Sequence, residues 1–291
     1  MLEATSFEQQ QRASARVLLV PLCLFMAALL GFPTLINLWY SFSDVSFQNL
    51  VGSFVGFDNY VAALTNPKMW QALGFSLKFA VICTVIEVAA AVVLVFILHP
   101  LLVKRPWMTA ILMLPMMVSP ALMGVMYRLI LNEFTGPIPV YLEMMGYGVN
   151  FLGRGNIYKT IVAIEVLQWT PFAFLILLTA RQTISYELEE AAAVDGATGF
   201  RSTFHILLPL MVPALVIVLF VRFIDSFRVF DHIYVLTGGG PGNLTTSISI
   251  YIYKLFFVQH TLGEAVAVSI LLLLMSLALI ASAMRLVVRR R

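Results

Sequence analysis

Three stretches place hydrogen-bonding and ionisable side chains where the surrounding sequence is almost wholly apolar: Glu87, the run from Ile164 to Phe172, and the run from Arg222 to His232. In the second stretch Glu165, Gln168, Trp169 and Phe172 stand at i, i+3, i+4 and i+7, one stripe of a helix. In the third, Arg222, Asp225, Ser226 and Val229 repeat that spacing, with Arg228 and His232 beside them and Phe223, Phe227 and Phe230 around them. Carboxylates, guanidiniums and an amide over an aromatic floor suit a polyhydroxyl ligand. Hydroxyls pair with the charged groups, and the C–H faces of a sugar ring lie on Trp or Phe. The same charges also suit a structural cluster, Arg222–Asp225–Arg228 with Glu165, that ties helices together. The two readings are compatible. In a lipid-crossing helix each such charge costs about 2.5–3.5 kcal/mol on insertion scales, so it faces an interior or a cavity in either case. Pro171 adds a carbonyl that loses its N–H partner, which again calls for a protein-lined or wet surrounding.

The elements that position these residues follow from hydropathy. A bilayer crossing needs about 20 predominantly apolar residues. Six windows qualify: 17–39, 73–98, 108–131, 157–178, 208–230 and 262–288. The stretch 245–258 is apolar and aromatic but too short, and reads as an interfacial or re-entrant piece. The first window is longer than the apolar region of a signal peptide, and Glu3 and Glu8 dilute its basic flank, so it reads as an uncleaved helix. Aromatic residues at the window ends read as interfacial anchors.

Composition agrees with lipid as the solvent. Of 291 residues, 60% are apolar and 11% charged, against about 45–50% and about 25% for soluble domains. Mean hydropathy is +0.93. This excludes a disordered chain and argues against a soluble enzyme. The net charge of +3, with no basic stripe interleaved with aromatics, gives no nucleic-acid surface. With the N-terminus placed in the cytoplasm, the cytoplasmic segments hold Arg12, Arg16, Lys104, Arg105, Arg181, Arg201, Arg285, Arg289, Arg290 and Arg291, which is 10 of the 18 basic residues. An even number of spans returns the C-terminus to that side. The sequence thus predicts an all-α integral membrane protein of six transmembrane helices with both termini cytoplasmic.

The long internal loop, 180–208, reads as a helix, a glycine turn and a second short helix. Ser185 is a candidate N-cap, Glu187, Glu189 and Glu190 favour the positive end of the helix dipole, and Ala191, Ala192 and Ala193 are strong helix formers. Gly196 stops the first helix, Thr198 can cap the second, and Pro209 begins the next span. A small, rigid, charged protrusion on a membrane body suits docking into a groove of a soluble partner; an ordinary capped surface loop is the plainer alternative.

The spacing Glu190-Ala191-Ala192, Asp195-Gly196-Ala197, then Phe204-x-Ile206-x-Leu208-Pro209, resembles the EAA loop of bacterial ABC importer permeases of the carbohydrate branch, the maltose/trehalose type. A second match runs from Phe230-Asp231 through Ile233-Tyr234-Val235-Leu236-Thr237 to Gly238-Gly239-Gly240-Pro241-Gly242. The resemblance covers most of the chain from about Leu73 onward. It implies the type I ABC importer permease fold, with residues 1–72 as N-terminal tail, first helix and outer loop, and 73–291 as a five-helix core carrying the coupling loop. It implies that Glu190 and Gly196, with Ala191, Ala192, Asp195 and Arg201 nearby, sit in a cleft of a cytoplasmic ATPase. It also implies that the stripes before Pro171 and before Thr237 line the substrate path. The implied partners are a second permease subunit, an ATPase dimer, and a periplasmic or lipid-anchored sugar-binding protein. Two departures concern the substrate: Leu167 stands where carbohydrate permeases often have Trp, and Gly136-Pro137-Ile138-Pro139 lacks the usual Asn of that turn. The charged stripes suit a neutral mono- or disaccharide, or an anionic sugar met by Arg222 or Arg228.

No phosphate-binding G-x-x-x-x-G-K-[ST] run is present, and Gly238–Gly242 lacks the lysine and reads as a flexible outer turn. ATP and Mg are therefore expected on the partner ATPase, with no cofactor in this chain. His99, His205 and His260 are isolated, Cys23 and Cys83 lie in apolar runs, and neither set suggests a metal or disulfide. No nucleophile–base pairing marks an enzyme. The rival transport reading is a proton-coupled secondary transporter working through Glu87, Glu165 or Asp225. The EAA-like loop and the absence of internal repeats in the hydropathy stand against it.

Overall fold

The computed structural model describes Val17, residues 19–197 and residues 199–288. The expectations placed on Glu3, Glu8, Arg12, Arg16, Thr198, Arg289, Arg290 and Arg291 lie outside the described residues. Apolar helices dominate, as the hydropathy demands. In order they are α1 (Leu19–Ser41), α2 (Asp58–Thr65), α3 (Pro67–Lys104), α4 (Trp107–Met117), α5 (Pro120–Ile130), α6 (Pro137–Met144) and α7 (Ile157–Gln182). Then follow α8 (Tyr186–Val194), α9 (Leu208–Phe227), α10 (Asp231–Thr237), α11 (Ile248–Val258) and α12 (Leu262–Val288). Among the described residues five helical segments are long and apolar enough to cross a bilayer, and α4 with α5 makes a sixth crossing if the bent pair is one span. The short α11 falls where 245–258 was read as too short to span.

Two details differ from the sequence reading. The window 108–131 is not one straight helix: α4 and α5 meet at 80°. Val118 and Ser119 are extended, and Pro115 and Pro120 flank them, so the ladder of main-chain hydrogen bonds cannot run through. Nor is there a separate second short helix after Gly196. The chain is helical from Phe200, passes through a widened turn at Thr203–Leu207, and continues into α9 with Pro209 in its first turn.

Contacts divide the chain into two units: residues up to Asn66 with Ile252–Leu274, and Pro67–Tyr251 with the residues from Met275. In the first, strands β1 (Ser43–Ser46) and β2 (Asn49–Phe54) form an antiparallel hairpin with Ser43 opposite Phe54. Asn59 Nδ2 donates to the carbonyls of Ser41 and Ser43 at 3.0 Å each. Gly263 packs on the same point, where a Cβ would lie 2.5 Å from the Ser43 carbonyl oxygen.

In the second unit α3, α7 and α9 pack on one another. One apolar cluster holds Phe79, Cys83, Ile161, Ile164, Val229, Ile233 and Ile250. The other holds Val88, Ala91, Val95, Ala173, Phe174, Leu177, Met211 and Val218. Glu87, Glu165 and Arg222 fall between the two sets along their helices. Gly124 of α5 lies against α10; a Cβ there would come 3.0 Å from the His232 carbonyl oxygen and 3.0 Å from Val235 Cβ. The Gly238–Gly242 turn, read as flexible, is tied by side chains: Thr237 Oγ1 accepts from the Gly239 N–H at 3.0 Å and Thr245 Oγ1 donates to the Gly240 carbonyl at 2.7 Å.

Candidate functional site

Glu165, Gln168, Trp169 and Phe172 all lie on α7, and Arg222, Asp225 and Ser226 on α9, which ends at Phe227 before Val229; the two helices meet at Arg222. Its side chain is 0% exposed, a burial that a guanidinium tolerates only when paired and hydrogen-bonded. Nε donates to Glu87 Oε2 at 2.6 Å and Nη2 to Glu87 Oε1 at 3.2 Å, a two-pronged grip from α9 to α3. Nη2 also donates to Glu165 Oε1 of α7 at 2.9 Å. Ser226, one turn on, adds its hydroxyl to Glu165 Oε1 at 3.2 Å. The guanidinium lies 4.7 Å from the centre of the Trp169 ring, in cation–π contact. One cation thus joins three spans, and each partner comes from a different part of the sequence.

The structural cluster anticipated from the sequence therefore exists, with a different membership. Glu87, which the spacing tied to no other residue, is the principal partner of Arg222. Asp225 Oδ2 stands 3.6 Å from Arg222 Nη1, and Asp225 Oδ1 stands 3.8 Å from Arg228 Nη2. These two side chains are 47% and 55% exposed. Inside an apolar span such exposure fits a water-filled path or another polypeptide, since lipid would penalise it. Glu165, Trp169, Arg222, Asp225, Arg228 and Val229 line a cavity of about 130 Å³, together with Pro120, Phe230, Asp231 and His232. Among the described residues Glu165 Oε2, Arg222 Nη1 and His232 Nε2 are buried with no hydrogen-bond partner, although His232 Nε2 lies 3.5 Å from Glu165 Oε2. These atoms are the unspent hydrogen-bonding capacity of the cavity.

Gln168 and Phe172 serve the frame. Gln168 Nε2 donates to the Val118 carbonyl at 2.8 Å, satisfying one main-chain group freed where α4 and α5 part. The Phe172 ring stands edge-on to Trp169 with centroids 6.5 Å apart. Glu87, Pro120 and Asp231 are the residues the stripes missed, whereas His232 stands beside its stripe as the spacing placed it. Glu87 carried a usable signal, as a lone carboxylate in a long apolar run, but no periodicity links it to a residue so far along the chain.

In the loop after α7, Ser185 takes the extended backbone of an N-cap, although its side chain makes no capping bond. Glu190, Ala191, Asp195, Gly196 and Arg201 are exposed, and Ala192 is buried. Gly196 has φ +78°, where L side chains are strained, so a glycine ends α8 there for a backbone reason.

With the fold and site in view, the chain can be set beside known proteins. Residues 102–291 match the family "Binding-protein-dependent transport system inner membrane component". Over 268 residues the chain is 32% identical to the trehalose/maltose transport system permease protein MalF of Thermococcus litoralis, covering 91% of this chain and 90% of that one. It is 28% identical over 283 residues to the sulfoquinovosyl glycerol transport system permease protein SmoG of Agrobacterium fabrum, covering 95% and 91%. The crystal structure of a bacterial ABC transporter involved in the import of the acidic polysaccharide alginate contains a chain of the same fold, with TM-score 0.85, 22% identity, and 98% and 99% of the two chains covered. The apolar helices are those of a multi-pass membrane protein. The chain belongs to the inner-membrane component family of binding-protein-dependent transport systems, as a permease subunit of an ABC importer.

Proposed function

We propose that this permease forms half of the pathway of an ATP-driven importer for a sugar. The observation that carries the reading is the cavity in which exposed Asp225 and Arg228 and the Trp169 ring meet the unspent Glu165, Arg222 and His232 atoms, on α7, α9 and its C-cap, and the start of α10. Arg222 is largely committed to Glu87 and Glu165, so its role is to hold the cavity floor, and Arg228 is the guanidinium open to a ligand. At about 130 Å³ the cavity is smaller than the roughly 300–1,000 Å³ of complete ligand sites, as one wall of a shared pathway would be. The second permease subunit supplies the other wall. The trehalose/maltose and sulfoquinovosyl glycerol relatives support a carbohydrate substrate.

In this reading the exposed Glu190, Ala191, Asp195, Gly196 and Arg201 surface, with Ala192 beneath it, docks an ATPase dimer, and both termini are cytoplasmic. ATP and Mg act on that partner, and this chain needs no cofactor. A periplasmic or lipid-anchored binding protein delivers the sugar. Nucleotide-driven closure rocks the spans between inward- and outward-facing states, and the chain forms no covalent bond with its cargo.

The test is uptake of radiolabelled trehalose by vesicles holding the whole importer. Uptake is expected to require ATP and to survive a protonophore; ATP-independent, protonophore-sensitive uptake would instead establish the secondary-transporter reading. Trp169→Ala is expected to preserve assembly and to lower uptake about ten-fold or change sugar preference, as loss of an aromatic platform of about 0.5–1.5 kcal/mol or more implies. Loss of assembly would reassign Trp169 to the frame.

A further inference from the structure

The docking helix α8 has two faces of opposite character. Among its described residues only Glu189 and Ala192 escape exposure, and they stand three positions apart on one side. Glu190, the next residue, is rotated away by about 100° and is exposed. The inner face carries a strong contact: Arg181 Nη2, in the last turn of α7, lies 2.7 Å from Glu189 Oε1. The Arg181 side chain is 6% exposed and that of Glu189 27%. Arg181 Nε has no hydrogen-bond partner among the described residues, so Nη2 and Glu189 carry the connection. Between the two residues, Ile184 packs against the apolar cluster of Leu177, Leu178 and Met211, while Thr183 and Ser185 are exposed. Beyond Arg181, α7 runs back as continuous helix past Trp169 to Glu165, and Trp169 lies about 18 Å from Arg181 along the axis at the usual rise per residue.

We infer that the Arg181–Glu189 pair is the strut through which movement of α8 reaches α7, making both residues positioning residues of the transport cycle. The inference rests on the permease reading given above. An apolar contact at this joint would allow α8 to slide. A charge-assisted bond between a buried guanidinium and a carboxylate has a defined direction and is costly to part. A push or pull on the exposed face of α8 is therefore delivered to the end of the helix that carries Glu165 and Trp169 into the cavity. The sequence reading had assigned Glu189 only to the helix dipole; its neighbour Glu190 makes the docking contact while Glu189 makes the transmitting one.

The experiment uses the complete importer in proteoliposomes and measures ATP hydrolysis and radiolabelled trehalose uptake in the same vesicles. Arg181→Met and Glu189→Met are expected to co-purify with the ATPase and to hydrolyse ATP within about two-fold of wild type, while uptake per ATP falls at least about five-fold, the lower end of measured site-to-site coupling. The exchanged pair, Arg181→Glu with Glu189→Arg, is expected to recover most of that ratio. Unchanged ratios in the single variants, or hydrolysis and uptake falling together with loss of the ATPase, would overturn the strut. If wild-type vesicles take up no trehalose, the sugar reading fails separately. The strut is then read from maleimide labelling of Val229→Cys with and without ADP and vanadate. That labelling should respond to nucleotide with Arg181 and Glu189 intact and become insensitive to it in the Met variants; an equal response in both would reject the strut.

Discussion

Replacing Arg222 with Met leaves Glu87 and Glu165 buried between two apolar clusters with their shared cation gone. Breaking one side of a buried ion pair costs about 3–5 kcal/mol, so Arg222→Met is expected to reduce the folded, membrane-extracted protein sharply, as measured by thermal melting in detergent. Glu87→Gln keeps an oxygen for the guanidinium and lowers the charge of the cluster, and its melting temperature should fall much less. Equal losses in the two variants would mean that the cluster acts through packing alone. At this scale the sequence was informative in part. The i, i+3, i+4 spacing correctly aligned Glu165 with Trp169 and Arg222 with Ser226, because a helix enforces those neighbours locally. It paired Arg222 with Asp225 for the same reason, whereas the tighter partner came from a helix that no local spacing can reach.

The elements themselves were legible wherever lipid dictates them. Apolar runs of about 20 residues had to be helices, since no other open structure satisfies its own main chain in a bilayer. The bend between α4 and α5 was harder to read, because Leu114-Pro115-Met116-Met117-Val118-Ser119-Pro120 is as hydrophobic as its flanks; only the two prolines marked it. That bend lets α5 lie on α10 through Gly124. Gly124→Val is expected to destabilise by about 1–3 kcal/mol, the usual cost of overpacking a tight contact, seen as a lower melting temperature with the ATPase still bound. The docking loop makes a complementary expectation. Glu190→Lys reverses an exposed charge that has no ion pair among the described residues, so insertion and melting should be unchanged while co-purification of the ATPase and uptake are lost. A variant that transports normally would remove Glu190 from the interface.

For the whole molecule, the expected sidedness of the spans can be checked on intact cells. A membrane-impermeant maleimide should label Leu244→Cys, in the turn after α10, from outside, and should label Val194→Cys only after the inner membrane is opened. The reverse pattern would invert the arrangement, although every helix would remain where it is. The grip of Arg222 on Glu87 also bears on how the chain is made. The two residues are 135 positions apart. At about 5–20 residues per second of synthesis, Glu87 emerges from the ribosome roughly 7–27 s ahead of its cation, and Glu165 waits roughly 3–11 s. During that interval two carboxylates stand in freshly inserted helices with no guanidinium to meet them. A chain halted before residue 222 therefore carries Glu87 and Glu165 without the cation that pairs them in the folded protein.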